Sequence, residues 1–165
     1  MPRAIKPKPP KPCVIIDTRE QTPWRFSAEV EVARGTLHTG DYSLAGHESD
    51  ICIERKSLDD LVQTVTRGRE RFERELERMR SFAFKAVLIE ASLADLRDHR
   101  YTSQALPAAI FGSCCCLHVD YGVPFLWCHD RAIAARVCER VLRRFHENLG
   151  GRENDPAITD LPPPA

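Results

Sequence analysis

The segment Ile51-Cys52-Ile53-Glu54-Arg55-Lys56-Ser57-Leu58-Asp59-Asp60 decides how this chain is read. Its first six residues alternate as a strand does, so Ile51, Ile53 and Arg55 share one face while Cys52, Glu54 and Lys56 share the other. Ser57, three residues before Asp60, has the spacing of a capping box and predicts a helix starting immediately after the strand. Two charged groups of opposite sign thus stand on one face of a strand, next to a strand-to-helix turn.

Working upstream, Gly46 to Asp50 reads as a turn, and Gly35 to Leu44 as a preceding strand that carries Gly40-Asp41. Further back, Cys13-Val14-Ile15-Ile16 is a short apolar run ending in Asp17, as expected of a buried strand with a carboxylate at its end. Downstream, Gly68 interrupts the helical pattern. An amphipathic helix is expected over Arg69 to Phe82, with Phe72, Leu76 and Met79 on one stripe. Lys85 to Glu90 and Val123 to Cys128 read as strands. Pro107 suits the first turn of a helix, and Asp130 caps a last helix with Ile133, Val137, Val141 and Phe145 on one face. Strands and helices alternate after the first hairpin, which predicts an α/β or mixed α+β domain, a mixed sheet flanked by helices.

The chain has 165 residues, 42% apolar and 29% charged, the composition of an ordinary globular protein. Twenty-four cations balance 24 acids, which excludes a globally polybasic nucleic-acid coater but not a local basic patch. Residues 1–12 hold five prolines and four cations and no acid; they are expected to form a flexible basic arm, serving DNA affinity or solubility. Residues 149–165, Pro-rich and mildly acidic, are expected to be a disordered tail, leaving 13–148 as one folded domain. The seven cysteines form no CxxC pair and no even secreted framework, so buried, reduced thiols are expected. No apolar run is long enough for a membrane span and no signal peptide is visible; the protein is expected inside a cell, in the cytoplasm if prokaryotic or phage, with no membrane partner.

Pairing across a hairpin can bring Asp41 beside Glu54 and Lys56. Two adjacent carboxylates repel unless a cation bridges them, and a hard divalent ion such as Mg²⁺ takes such oxygens while keeping several waters. Phosphodiester hydrolysis needs a metal, a positioned water and charge neutralisation. An isolated Asp…Glu-x-Lys pattern is a weak signal, since acids and lysines are common and a turn aspartate with a surface ion pair explains it more simply, so the flanking residues carry the decision. No Gly-rich phosphate loop and no Ser-His-Asp order supports a motor or an acyl-transfer enzyme.

Those flanking residues resemble the nuclease domain of the XPF family of structure-specific DNA endonucleases, Mus and Hef types included. The family pattern of Gly-Asp, a gap, Glu-Arg-Lys, three residues and Asp is present as Gly40-Asp41, Glu54-Arg55-Lys56 and Asp60. The upstream Asp-x-Arg-Glu is present as Asp17-Thr18-Arg19-Glu20, and the downstream Gly-Arg as Gly68-Arg69. The likeness runs from about Cys13 to Phe145. It implies a restriction-endonuclease-like core and a Mg²⁺- or Mn²⁺-dependent DNA endonuclease in repair or recombination. Asp41 and Glu54 would be metal ligands, the Arg55 carbonyl a possible third. Asp17 and Glu20 would complete the acidic set directly or through water, and Lys56 would act on water or phosphate.

By the same resemblance Arg19 and Arg55 would hold phosphates or acids, and Arg55, Arg67 and Arg69 would contact DNA. Asp60 is accounted for equally by catalysis and by helix capping. Only 20 residues follow Phe145, too few for the helix-hairpin-helix module many members carry, so a stand-alone form is expected. A homodimer through the nuclease domain and an unidentified recruiting protein are the partners implied besides DNA. The alternatives are a non-catalytic DNA-binding or scaffolding subunit of the same fold and another restriction-endonuclease-like nuclease.

Overall fold

The structure, a computed structural model, describes residues 10–152, with side chains through Gly150. It contains six strands and five helices in the order β1 (Cys13–Asp17), β2 (Glu31–Gly35), β3 (Tyr42–Leu44), β4 (Ile51–Lys56), α1 (Leu58–Thr66), α2 (Arg69–Met79), β5 (Phe84–Ile89), α3 (Leu93–Arg97), α4 (Pro107–Tyr121), β6 (Phe125–Trp127) and α5 (Arg131–Arg152). The strands form one sheet in the order β2-β1-β3-β4-β5-β6. β3 runs antiparallel to both β1 and β4, while β1–β2, β4–β5 and β5–β6 are parallel. The mixed sheet flanked by helices is the fold class the sequence predicts.

Period-two alternation explains how the two faces are filled. Cys52, Val87 and Ile89 pack under α1, α2 and α4 with Leu61, Val65, Phe72, Leu76, Ile110 and Leu117. Ile51, Ile53, Ala86 and Leu88 pack on the other face with Val14, Tyr42, Trp24 and residues of α5. Strands covered on both sides are apolar where they are buried, which is why β4 opens with Ile51-Cys52-Ile53 and β5 closes with Ala86-Val87-Leu88-Ile89.

The expected strand over Gly35 to Leu44 divides in two. Leu37 is buried in the intervening loop, its N–H donating to the Asp17 carboxylate at 2.7 Å, and Gly40 turns the chain with φ +78°. Only Tyr42–Leu44 then continues as β3. The edge strand β2 lies upstream in Glu-Val-Ala-Arg-Gly, whose charges and exposed Val32 hide its apolar alternation. α3 was not anticipated, although Ser92 and Asp95 form a complete capping box at its start.

Two further expectations need correction. On α5 the fully buried stripe is Ala134, Cys138 and Leu142, flanked by the partly buried Val137, Val141 and Phe145, whereas Ile133 is 39% exposed. Small side chains along that stripe let the helix approach the sheet closely. All seven cysteines are free, but Cys115 and Cys116 are exposed and Cys13 only half-buried. Cys114 shares the inward stripe of α4 with Ile110 and Leu117, and helical rotation carries the next two thiols outward.

At the chain ends, Pro12 accepts a hydrogen bond from the Glu31 N–H at 2.9 Å, and Lys11 donates to the Ala28 carbonyl at 2.6 Å. α5 continues past residue 148, to Arg152. The rest of the expected arm and tail lies outside the described residues.

Candidate active site

The C-terminal ends of β1 and β4, the Gly40 turn before β3 and the facing sides of α1 and α2 enclose an open cleft of about 820 Å³. Asp17, Arg19, Glu20, Asp41, Glu54, Arg55, Lys56, Asp60 and Arg67 all line it, so one concavity collects every expected site residue except Arg69. The β3–β4 register sets Tyr42 opposite Ile53, and the Asp41 N–H donates to the Ile53 carbonyl at 2.9 Å, which brings Asp41 to Glu54. Gly40 is required here. Besides its left-handed φ, a Cβ on it would lie 2.5 Å from Cys52 Sγ and 3.1 Å from the Ile53 carbonyl.

Asp41 and Glu54 form the floor. Glu54 is 5% exposed; its carboxylate accepts from Lys56 Nζ at 2.6 Å. Asp41 Oδ2 accepts from the Arg55 backbone N–H at 2.8 Å. Burial pushes the Asp41 carboxyl up to about 6, against the Arg55 N–H and Lys56, with Glu20 and Glu75 adding to the rise. Burial and then Asp41 lift Glu54 well above the usual carboxylate range, and Lys56 offsets only part of this. Burial works against the charge of Lys56, but Glu54, Glu75 and Asp41 outweigh it and raise the ammonium pKa, so Lys56 stays protonated.

Asp17 and Glu20 occupy different positions from those expected of ligands. Asp17 is 1% exposed. Its oxygens accept from the Arg19 N–H at 2.8 Å, Arg19 Nε at 2.7 Å, Arg19 Nη2 at 3.1 Å and the Leu37 N–H at 2.7 Å. Burial alone would raise its pKa, but these donors together hold it below the usual value. Glu20 Oε1 accepts from the Thr22 N–H and from Arg55 Nη1, at 2.8 and 3.0 Å. Among the described residues no three His, Cys, Asp or Glu side chains are grouped to hold a metal ion. Asp17 and Glu20 are thus engaged by their own donors, whereas Asp41 and Glu54 share the cleft with Glu75, which acts on both.

Two of the three expected DNA-contacting arginines are also redirected. Arg55 points to the opposite face of β4, where its guanidinium donates to Glu90, Glu20 and Thr22. Its side chain is 14% exposed, and its donors are taken up by these partners at the edge of the cleft. Arg69 donates to Glu73 at 2.8 Å and to Ser113 Oγ on α4 at 3.3 Å, away from the cleft. Arg67 does line the cleft, joined by Arg71. Ser57 caps α1 as expected: Asp60 N–H donates to its Oγ at 3.2 Å, and its hydroxyl donates to Asp60 Oδ2 at 2.6 Å. The cap accounts for Asp60, which is exposed at the rim.

Sequence reasoning overlooked Arg71, Glu75 and Glu90. Arg71 and Glu75 fall one residue before Phe72 and Leu76, at the margin of the buried stripe, so helical phase could have turned them toward the cleft. Nothing in the local pattern marks Glu90, whose partners are 35 to 66 residues distant in sequence.

A mixed sheet with adjoining carboxylates at a strand end and a helix closing over them defines a restriction-endonuclease-like domain. The ERCC4 domain family model matches residues 16–140, and the chain belongs to that family. The chain is 26% identical over 126 residues to the 3′-flap repair endonuclease Xpf of Saccharolobus solfataricus, across 74% of this chain and 50% of that protein. It thus spans about half the length of that relative. XPF from Aeropyrum pernix superposes with a TM-score of 0.65 at 20% identity, over 86% of this chain and 69% of that one. The structure of XPF from Aeropyrum pernix in complex with DNA superposes with 0.61 at 21% identity, over 83% of this chain and 66% of that one. At such identities the solved structures establish the fold. Among the described residues no helix is long and apolar enough to cross a membrane.

Proposed function

We propose that this chain is a divalent-metal-dependent DNA endonuclease that hydrolyses phosphodiester bonds in branched, flapped or nicked DNA during repair or recombination. The observation that carries the reading is the pair Asp41 and Glu54 in the cleft, both carboxyls raised chiefly by burial, Glu54 further by Asp41, with Lys56 only partly compensating. Two hard oxygen donors in one cleft suit Mg²⁺ or Mn²⁺, which bind through one or two carboxylates and retain waters. Asp41 and Glu54 would hold the ion, which when bound supplies an activated water and neutralises phosphate charge.

The protein's own groups divide the remaining work. Lys56, kept protonated by Glu54, suits charge stabilisation at the scissile phosphate better than proton abstraction. Arg19, Arg67 and Arg71 place cations around the cleft, in position for the phosphates of a DNA strand. Asp17 supports this rim by holding Arg19. The 3′-flap activity named for the Saccharolobus relative favours a branched substrate. Leu106, Phe111 and Val119, exposed along α4, are where a second copy or a recruiting protein would pack.

The test incubates purified protein with flap, fork, nicked and plain duplex DNA, with and without Mg²⁺ or Mn²⁺. Cleavage of a branched or nicked substrate that requires metal and is lost in Asp41→Asn and Lys56→Ala is expected. Binding without cleavage under every metal condition would instead identify a scaffolding subunit. Cleavage that survives both substitutions would place the active site elsewhere.

A further inference from the structure

We infer that Glu90 is a positioning residue of this site, orienting Asp41 through Arg55. The inference rests on the metal-nuclease reading and concerns the face of the sheet behind the cleft. Glu90 follows β5, its backbone N–H donating to the Lys56 carbonyl at 2.9 Å, and its side chain is 8% exposed. Arg55 grips it with both arms of the guanidinium, Nε to Oε1 at 2.8 Å and Nη2 to Oε2 at 3.1 Å. Oε1 also accepts from Trp24 Nε1 at 2.6 Å and Arg131 Nη1 at 3.3 Å. One carboxylate therefore ties together the end of β4, the 20–24 loop and the start of α5.

The link to the cleft is covalent. Arg55 alternates with Glu54 and Lys56, so fixing its side chain behind the sheet fixes the peptide between Glu54 and Arg55. The N–H of that peptide donates to Asp41 Oδ2 at 2.8 Å. The third arm of Arg55, Nη1, is held by Glu20 Oε1 at 3.0 Å and by Thr22, which leaves the guanidinium no rotational freedom. A buried ionic network is weak evidence for stability, because apolar replacements are often neutral or better. Convergence of four donors on a carboxylate that reaches the floor through Arg55 is better explained by orientation: supporting groups behind a metal site decide how its ligands point.

The experiment titrates Mn²⁺ into the DNA-free full chain by calorimetry, for wild type, Glu90→Gln, Glu90→Ala, Arg55→Lys and the Glu90→Ala/Arg55→Lys double variant. Thermal unfolding in EDTA is recorded for each. Glu90→Ala should weaken Mn²⁺ binding by about 10- to 100-fold, and Glu90→Gln, which keeps an acceptor for Arg55, by less. The double variant should bind no more weakly than Glu90→Ala, since both changes break one path. Glu90→Ala protein that unfolds earlier yet binds Mn²⁺ like wild type would overturn the inference, and so would losses that simply add. If Glu90→Ala does not fold, Glu90→Gln and Arg55→Lys carry the same comparison. Wild-type protein that binds no Mn²⁺ would overturn the metal reading itself, and with it this inference.

Discussion

Three consecutive residues of β4 look in opposite directions, and the two sides of the sheet treat charge in opposite ways. Glu54 and Lys56 enter the cleft, where Asp41 and Glu54 crowd together and burial lifts both carboxyls. Arg55 enters the rear face, where Glu90 and Glu20 match its guanidinium donor by donor. At the front, burial leaves both carboxyls raised and only partly offset by Lys56; at the rear, the acids and Arg55 satisfy one another. Function and support are thus separated by the pleat of a single strand.

The strongest contrast should come from removing one charge on each side. Asp41→Asn is expected to abolish cleavage of branched DNA, by at least ~10³-fold in rate, while leaving the metal-free protein as stable as wild type or more so. Gel-based cleavage and thermal unfolding in EDTA check both halves. Arg55→Ala is expected to do the reverse in stability, costing ~3 kcal/mol, because Glu90 and Glu20 lose their main counter-charge and keep only Trp24, Arg131 and the Thr22 N–H as donors. Urea unfolding measures this, and an unchanged midpoint would erase the distinction between the faces.

The next effect depends on pH. The folded protein holds a proton on Asp41 up to about pH 6, whereas the unfolded chain releases it near 3.8. Because the folded pKa is raised, the metal-free protein loses stability as pH climbs through that window. The difference between wild type and Asp41→Asn should therefore grow with pH to about 3 kcal/mol, in favour of the variant. Urea titrations at pH 4, 5, 6 and 7 read it directly; a constant difference would mean that Asp41 ionises without penalty.

The smallest expected effects lie at the rim. Arg67→Ala and Arg71→Ala should each weaken DNA binding several-fold and lower the salt slope by about 1, as loss of a phosphate contact does. Arg69→Ala, whose side chain faces Glu73 and Ser113, should leave the slope unchanged. Fluorescence anisotropy across a salt series separates the three; an equal loss at Arg69 would show that the helix presents its other flank to DNA.

Much of the floor was legible in sequence because it is built from short-range regularities. Alternation in Ile51 to Lys56 puts Glu54 and Lys56 on one face, the hairpin spacing brings Asp41 across, and Ser57 starts α1. The same local logic misplaced Gly35–Leu44, since it could not foresee that Leu37 would be held inside by Asp17 or that a charged edge strand would pair with β1. Arg55, Arg67 and Arg69 all read as DNA contacts for the same reason. A positive charge near a site looks alike in sequence whichever way it points.

The sequence by itself therefore determined the mixed α/β class and the shared face of Glu54 and Lys56, through periodicity and cap chemistry that act over a few residues, while the flanking motifs singled out Asp41 beside them. Only the tertiary structure decided which neighbouring charges serve that floor. Asp17 turned to Arg19 and Leu37, Glu20 and Glu90 turned to Arg55, and Arg71 and Glu75 came in from α2. Those choices are made by partners tens of residues apart, brought within hydrogen-bond reach only when the sheet and helices have packed.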